Sequence, residues 1–195
     1  KLIMANYRDI KGFKIANFES DPVENVASWS AGGNLNTARR ALAGGGTQTA
    51  GLAFGGYDTN LSAKTEEYNG SSWAEDGDLN TARAALTGCG VIPAALAFGG
   101  GSTTTEAVAE EYNGSSWTET GDLSNARDQL AGAGTQTAAL AFGGAGVTAS
   151  TEEFGGSSWT AGGNLNTARR YLAGFGLQTA AIGAGGAEPT ITAKV

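Results

Sequence analysis

The chain has no histidine, one cysteine, one methionine and three prolines among its 195 residues. Without histidine it lacks the side chain most used as a general base and as a transition-metal ligand. Cys89 is alone, so no intrachain disulfide can form, and cysteine usage leaves the redox compartment open. No apolar run approaches the roughly 18 residues of a membrane-spanning helix, and Leu2–Ala5 is too short for the core of a signal peptide. Positive charge is scarce as well: 12 Lys and Arg stand against 19 Asp and Glu, a formal charge of −7. That balance argues against nucleic acid or an anionic membrane as the main partner, because both select basic surfaces, and without a long apolar run no membrane insertion is expected.

Glycine, in contrast, is abundant: 32 residues, more than twice the usual share of about 7%. The glycines follow no triplet rule, and large apolar residues recur among them at fixed offsets, which argues against both collagen and disorder. Tryptophans fall at 29, 73, 117 and 159; arginines of an "AR" phrase at 39, 83, 127 and 169; double glycines begin at 55, 99, 143 and 185. Each series steps by 44, 44 and 42. The shortening is confined to one place, where eight residues separate "GG" from "TEE" or "AEE" in two copies and six do in the third. A length change tolerated there marks a surface loop.

Each period reads as four short strands. Arg40–Thr47 alternates Leu42 with small residues; Thr49–Gly56 puts Leu52 and Phe54 on one face and Ala53 on the other; Lys64–Tyr68 makes a third strand. "NG" at Asn69–Gly70 then predicts a two-residue type I′ turn with positive φ at both residues, and Ser71–Trp73 opens the fourth strand. Four strands in 42–44 residues is the arithmetic of a β-propeller blade, so the fold class expected is all-β.

A double glycine ending the second strand, an aromatic ending the third, a Trp opening the fourth and an Arg before the next unit resemble the kelch repeat. The Gly/Ala-rich phrasing, as in "GGNLNTARRALAGGGTQTAGLAFGG", is most similar to kelch-like repeats of bacteriophage tail and fibre proteins, marine phages especially. The resemblance covers about Ala27–Gly186. It implies a propeller over 26–195 and a non-enzymatic virion component, with other virion proteins and a host-surface glycan or protein as partners. Outside a virion, a soluble extracellular or cytoplasmic interaction module is the alternative, and a lectin-like propeller another. No cofactor is expected. Trp29 has no clear strands before it, and the last unit ends without a Trp. The two fragments complement each other, which predicts four blades with one composite blade tying the ends. The rival is a homo-oligomeric ring or fibre completed by other chains.

Expected core residues are Leu42, Leu86, Leu130, Leu172, Leu52, Leu96, Leu140, Ile182, Phe54, Phe98, Phe142, Tyr68, Tyr112, Phe154 and the four tryptophans. Arg39, Arg83, Arg127 and Arg169 are expected to tie loops or to pair a Glu of a neighbouring blade. The "EE" pairs do not make acid–base dyads, because adjacent strand residues point to opposite faces. "DGDLN" at Asp76–Asn80 opens like a calcium loop but lacks the later acidic ligand, so a turn explains it. Cys89 reads as a core filler, since no histidine could activate it. The loops between second and third strands vary where the rest does not. Their candidate contact residues are Tyr57, Asp58 and Asn60 in the first, Ser102, Thr103 and Thr104 in the second, and Val147 and Thr148 in the third. Lys1–Asn25 stands outside the period and is expected to dock the propeller onto other virion proteins, the alternative being a leader segment or an extra strand packed on the ring.

Overall fold

The computed structural model describes residues 31–146 and 148–188; Trp29, Val147 and the Lys1–Asn25 extension lie outside them. Among the described residues every regular element is a β-strand. The first sheet contains β1 (Ala43–Thr47), β2 (Ala50–Phe54), β3 (Thr65–Tyr68) and β4 (Trp73–Asp76) in that spatial order. The second repeats it with β5 (Thr87–Val91), β6 (Ala94–Phe98), β7 (Ala109–Tyr112) and β8 (Trp117–Glu119). The third has β9 (Ala131–Gly134), β10 (Ala139–Phe142), β11 (Thr151–Phe154) and β12 (Trp159–Ala161). β13 (Arg170–Leu177) and β14 (Ala180–Ala187) form a hairpin with no third strand among the described residues. All pairings are antiparallel. Three four-stranded sheets and a hairpin are compatible with propeller blades. Innermost strands pack in succession, β1 on β5, β5 on β9 and β9 on β13. β13 does not pack on β1 in the same way, so the described residues form no closed ring.

Each Trp explains why a sheet needs a neighbour. Register sets it opposite the aromatic that ends the third strand: Tyr68–Trp73, Tyr112–Trp117 and Phe154–Trp159, each with ring centroids 5.0 Å apart. Trp117 and Trp159 also reach Phe54 and Phe98 of the preceding sheet, at 4.9 Å. Such pairs add about 0.5–1.5 kcal/mol each to the burial of their area. The innermost strands approach closely because they lack side chains: a Cβ on Gly88 would sit 2.5 Å from Phe54 Cζ.

One difference between copies has a measurable consequence. The indole Nε1 of Trp117 donates to Thr65 Oγ1 at 2.9 Å across the sheets. Thr65 is replaced by Ala109 in the second copy, and the buried Nε1 of Trp159 has no acceptor. Ala109→Thr should supply one and stabilise the chain by about 1 kcal/mol, raising the melting temperature by roughly 2–4 °C. A lowered melting temperature would show that the second copy cannot hold the hydroxyl.

Several expectations are corrected. β1 begins at Ala43, not Arg40, because Ala41 takes a left-handed conformation (φ 53°) that ends extended pairing. The "NG" connection is not a type I′ turn: only Gly70 has positive φ (95°). Asn69 instead uses its side chain, whose Oδ1 accepts from the N–H of Ser71 and Ser72, each at 3.0 Å. This makes a four-residue Asx-type loop, so the fourth strand opens at Trp73 itself. Leu52, Leu86, Leu96, Leu130, Phe54, Phe98, Phe142, Tyr112, Phe154, Trp117 and Trp159 are buried as expected. Leu42, Tyr68 and Trp73 are only half-buried, since no described sheet precedes the first one. Leu140 and Leu172 are half-buried and Ile182 is exposed, because they lie at or beside the hairpin, which has no outer strands among the described residues.

Candidate binding loops and the clamps beneath them

The lead-in reads "LNTAR" in three copies and "LSNAR" in one, and before the second sheet, the third sheet and the hairpin it lies through its backbone against the loop of the preceding sheet. Leu79 N–H donates to Ala63 O at 2.9 Å and Arg83 N–H to Ser62 O at 3.3 Å, while Gly56 N–H donates back to Arg83 O at 2.9 Å. The side chains of the same segment turn the other way, into the next sheet. Arg83 donates through NH1 to Gly99 O (2.9 Å) and Val108 O (2.5 Å), and through NH2 to Glu110 Oε1 (3.0 Å). Glu110 Oε2 accepts from the backbone and side-chain amides of Asn80, at 2.7 and 2.9 Å. Both charged side chains are fully buried.

The arrangement repeats. Arg39 donates to Lys64 O and Glu66, with Asn36 N–H on the same carboxylate at 2.6 Å. Arg127 donates to Ser150 O and Glu152, joined by Ser124 N–H at 2.6 Å. Each of these Arg thus pairs a Glu of the sheet it leads into, not of a neighbouring one, while the backbone of Arg83 and of Arg127 holds the loop of the preceding sheet. Burial pulls the Arg39, Arg83 and Arg127 guanidinium groups below their ordinary values, and the partner carboxylates push them back. Arg169 differs: it donates to Gly185 O and to Glu188, and this pair is exposed. The two glutamates of each "EE" separate as strand geometry requires. Glu66 is buried on its Arg, whereas Glu67 accepts from the Tyr112 hydroxyl of the next sheet at 2.9 Å.

Above the clamps sit the variable loops, each closed at its base by a backbone bond: Gly55 N–H to Lys64 O (3.0 Å), Gly99 N–H to Val108 O (3.0 Å) and Gly143 N–H to Ser150 O (3.1 Å). In the first loop Tyr57 is half-buried beneath the Arg40 guanidinium, 5.0 Å from the ring centre. Asp58 and Asn60 are exposed; Asp58 Oδ1 accepts from Asn60 N–H at 2.9 Å and from Thr59 N–H. Those bonds, Asn60 first, hold the Asp58 carboxyl below its usual range. In the second loop Thr103 and Thr104 are exposed, and half-buried Ser102 donates its hydroxyl to Glu106. In the third, half-buried Thr148 donates to Ser150 Oγ at 2.9 Å.

"DGDLN" behaves as a turn: Asp76 Oδ1 accepts from Gly77 N–H, Asp78 Oδ1 from Thr65 N–H, and Asn80 serves the clamp. Cys89 is buried, with its Sγ 3.4 Å from Thr135 O, and burial pushes the thiol up to about 12. Near pH 8 its thiolate is then roughly a thousandfold scarcer than that of an exposed cysteine. Iodoacetamide should therefore label the native chain negligibly and label it quickly once urea unfolds it; prompt native labelling would contradict the burial.

Two recurring devices are not legible as sites in the sequence. Gln136 Nε2 donates to Ala95 O and Tyr112 O of the preceding sheet (3.1 and 2.7 Å), and Gln178 Nε2 does the same to Ala139 O and Phe154 O (2.9 and 2.7 Å). The recurrence of "QT" in three copies was the available signal. The second device is a backbone relay, in which Ala85 N–H donates to Ala41 O, Gln129 N–H to Ala85 O and Tyr171 N–H to Gln129 O, at 2.8–2.9 Å. All four residues have positive φ, 53–57°, an uncommon choice outside glycine that fixes the amides in line. No protein-family model matches the chain, and no curated protein sequence matches it.

Proposed function

We propose that the chain is a kelch-like β-propeller that serves as a non-enzymatic structural and host-recognition component of a bacteriophage particle, associated with tail or fibre. The three sheets and the hairpin are its blades. The observation that carries the reading is the buried clamp under each loop. In the second sheet one guanidinium fixes the carbonyls at both stems, Gly99 O and Val108 O, whatever the loop above contains. A fixed base beneath loops of differing sequence suits recognition, in which the loops change and the support does not. The exposed groups are hydroxyls, an amide and a carboxylate beside a tyrosine ring, the chemistry that holds a glycan of the host surface.

Two measurements test this. Mass spectrometry of purified virions should find the chain, and a glycan array should find a ligand whose binding is lost in Asp58→Ala/Asn60→Ala while the melting temperature stays unchanged. A chain absent from virions would remove the phage assignment. Binding unaffected by substitutions in all three loops would remove the recognition role.

A further inference from the structure

We infer that the bare face of the β13–β14 hairpin is half of an interface whose other half is the exposed face of the β1–β4 sheet on a second copy of this chain, so that copies join head to tail. The inference rests on the propeller reading in one respect, that sheets associate through one repeated pair of faces.

That pair is visible twice between complete sheets. The face of the second sheet that carries Cys89, Leu96 and Phe98 is buried under the third sheet, in one cluster with Trp159 and Phe154. Counting by the repeat, Cys89 corresponds to Phe175 and Leu96 to Ile182 on the hairpin. These are 53% and 54% exposed, although a phenylalanine stands where the other copies have Gly45, Cys89 and Ala133. The hairpin therefore presents two large apolar side chains on its docking face, and nothing described covers them.

The opposite end of the chain has the matching idle parts. Gln48 occupies the position of Gln136 and Gln178, each of which donates to two carbonyls of the sheet before it; Gln48 is exposed and donates to none among the described residues. Ala41 and Tyr171 are the outer members of the backbone relay, so among the described residues Ala41 N–H at one end and Tyr171 C=O at the other have no partner of the kind their equivalents have. Among the described residues these ends do not meet within one chain, since β13 does not pack on β1 as successive inner strands pack on one another. An interface whose two halves differ is heterologous, and successive copies then close into a ring when the rotation permits.

The test uses the 195-residue chain in sedimentation equilibrium. The wild type should form a discrete oligomer. Phe175→Asp, or Ile182→Asp as a second tail variant, should dissociate it with at least a roughly tenfold rise in Kd, as for a buried anchor. Gln48→Asp, which sets a carboxylate against carbonyls, should dissociate it from the other side. All three positions are exposed, so melting temperatures of the separated copies should agree. Mixed together, Phe175→Asp and Gln48→Asp should associate one to one, because each keeps one intact face; only a head-to-tail contact predicts this. A wild-type oligomer untouched by Phe175→Asp and Ile182→Asp would overturn the inference. So would a monomer at every concentration: with β13–β14 amides protected from exchange it would mean closure within one chain and spare the propeller reading, whereas with freely exchanging amides it would remove that reading too.

Discussion

Glu110→Ala should unfold in urea with a loss of about 3–5 kcal/mol, the cost of leaving a buried charge without its partner. The Arg83 and Glu110 side chains are both fully buried and 3.0 Å apart, so the substitution leaves the guanidinium in the interior without its counter-charge. The two carbonyls that Arg83 also holds are dipoles and do not balance its charge. Asn80, which gives two N–H groups to Glu110 Oε2, loses both bonds in the same step. The pair itself need not be strongly stabilising, because its own burial is costly; the expected loss comes from breaking it. The chain carries its own control. The corresponding pair Arg169–Glu188 leaves side-chain exposures of 36% and 50%, so Glu188→Ala should cost under about 1 kcal/mol. A Glu110→Ala loss as small as that of Glu188→Ala would mean the clamp does not hold the sheet.

The second large effect is steric. A Cβ on Gly121 would stand 2.2 Å from Ser157 O and 3.1 Å from Ser158 Cα, the backbone of the β11–β12 turn. Backbone cannot rotate aside as a side chain does, so Gly121→Ala must push the second and third sheets apart. The expected loss is about 3 kcal/mol, at the upper end for overpacking. Gly163 holds the same place one period later and meets nothing within 4 Å, because the hairpin has no such turn. Gly163→Ala should change stability by less than about 0.5 kcal/mol. Equal losses at the two positions would show that glycine is kept there for its backbone freedom and not for the neighbouring sheet.

Much of this was legible beforehand, for a definite reason. Trp, Arg and the double glycine recur at one period, and a contact that recurs with the period must be one the repeating unit makes. That exposed the four-strand unit and the structural use of Arg83. It did not say which sheet Arg83 serves, since the sequence step from Arg83 to Glu110 is the same whichever way the side chain turns. At Asn69 the dihedral preference of "NG" points to a two-residue turn, but the Asn69 side-chain acceptor captures the Ser71 and Ser72 amides and makes a longer loop. The relay through Ala41, Ala85, Gln129 and Tyr171 leaves no trace in residue type: none is a glycine, and their shared left-handed backbone is imposed by the bonds they make. The variable loops were found by contrast with their surroundings, but the bond network that closes each at its base depends on carbonyls, which sequence does not mark.

The Trp–Phe stacking recurs at 4.9 Å at both places where complete sheets meet. Each junction is thus nearly interchangeable with the other. Removing one whole 44-residue period would bring the first and third sheets together with familiar partners on either side, apart from Thr65, whose hydroxyl would then face Trp159. Unequal recombination between near-identical stretches of coding sequence could therefore lengthen or shorten such a chain by a complete unit without a nonfolding intermediate. The size of the array is open to change even where its joints are not.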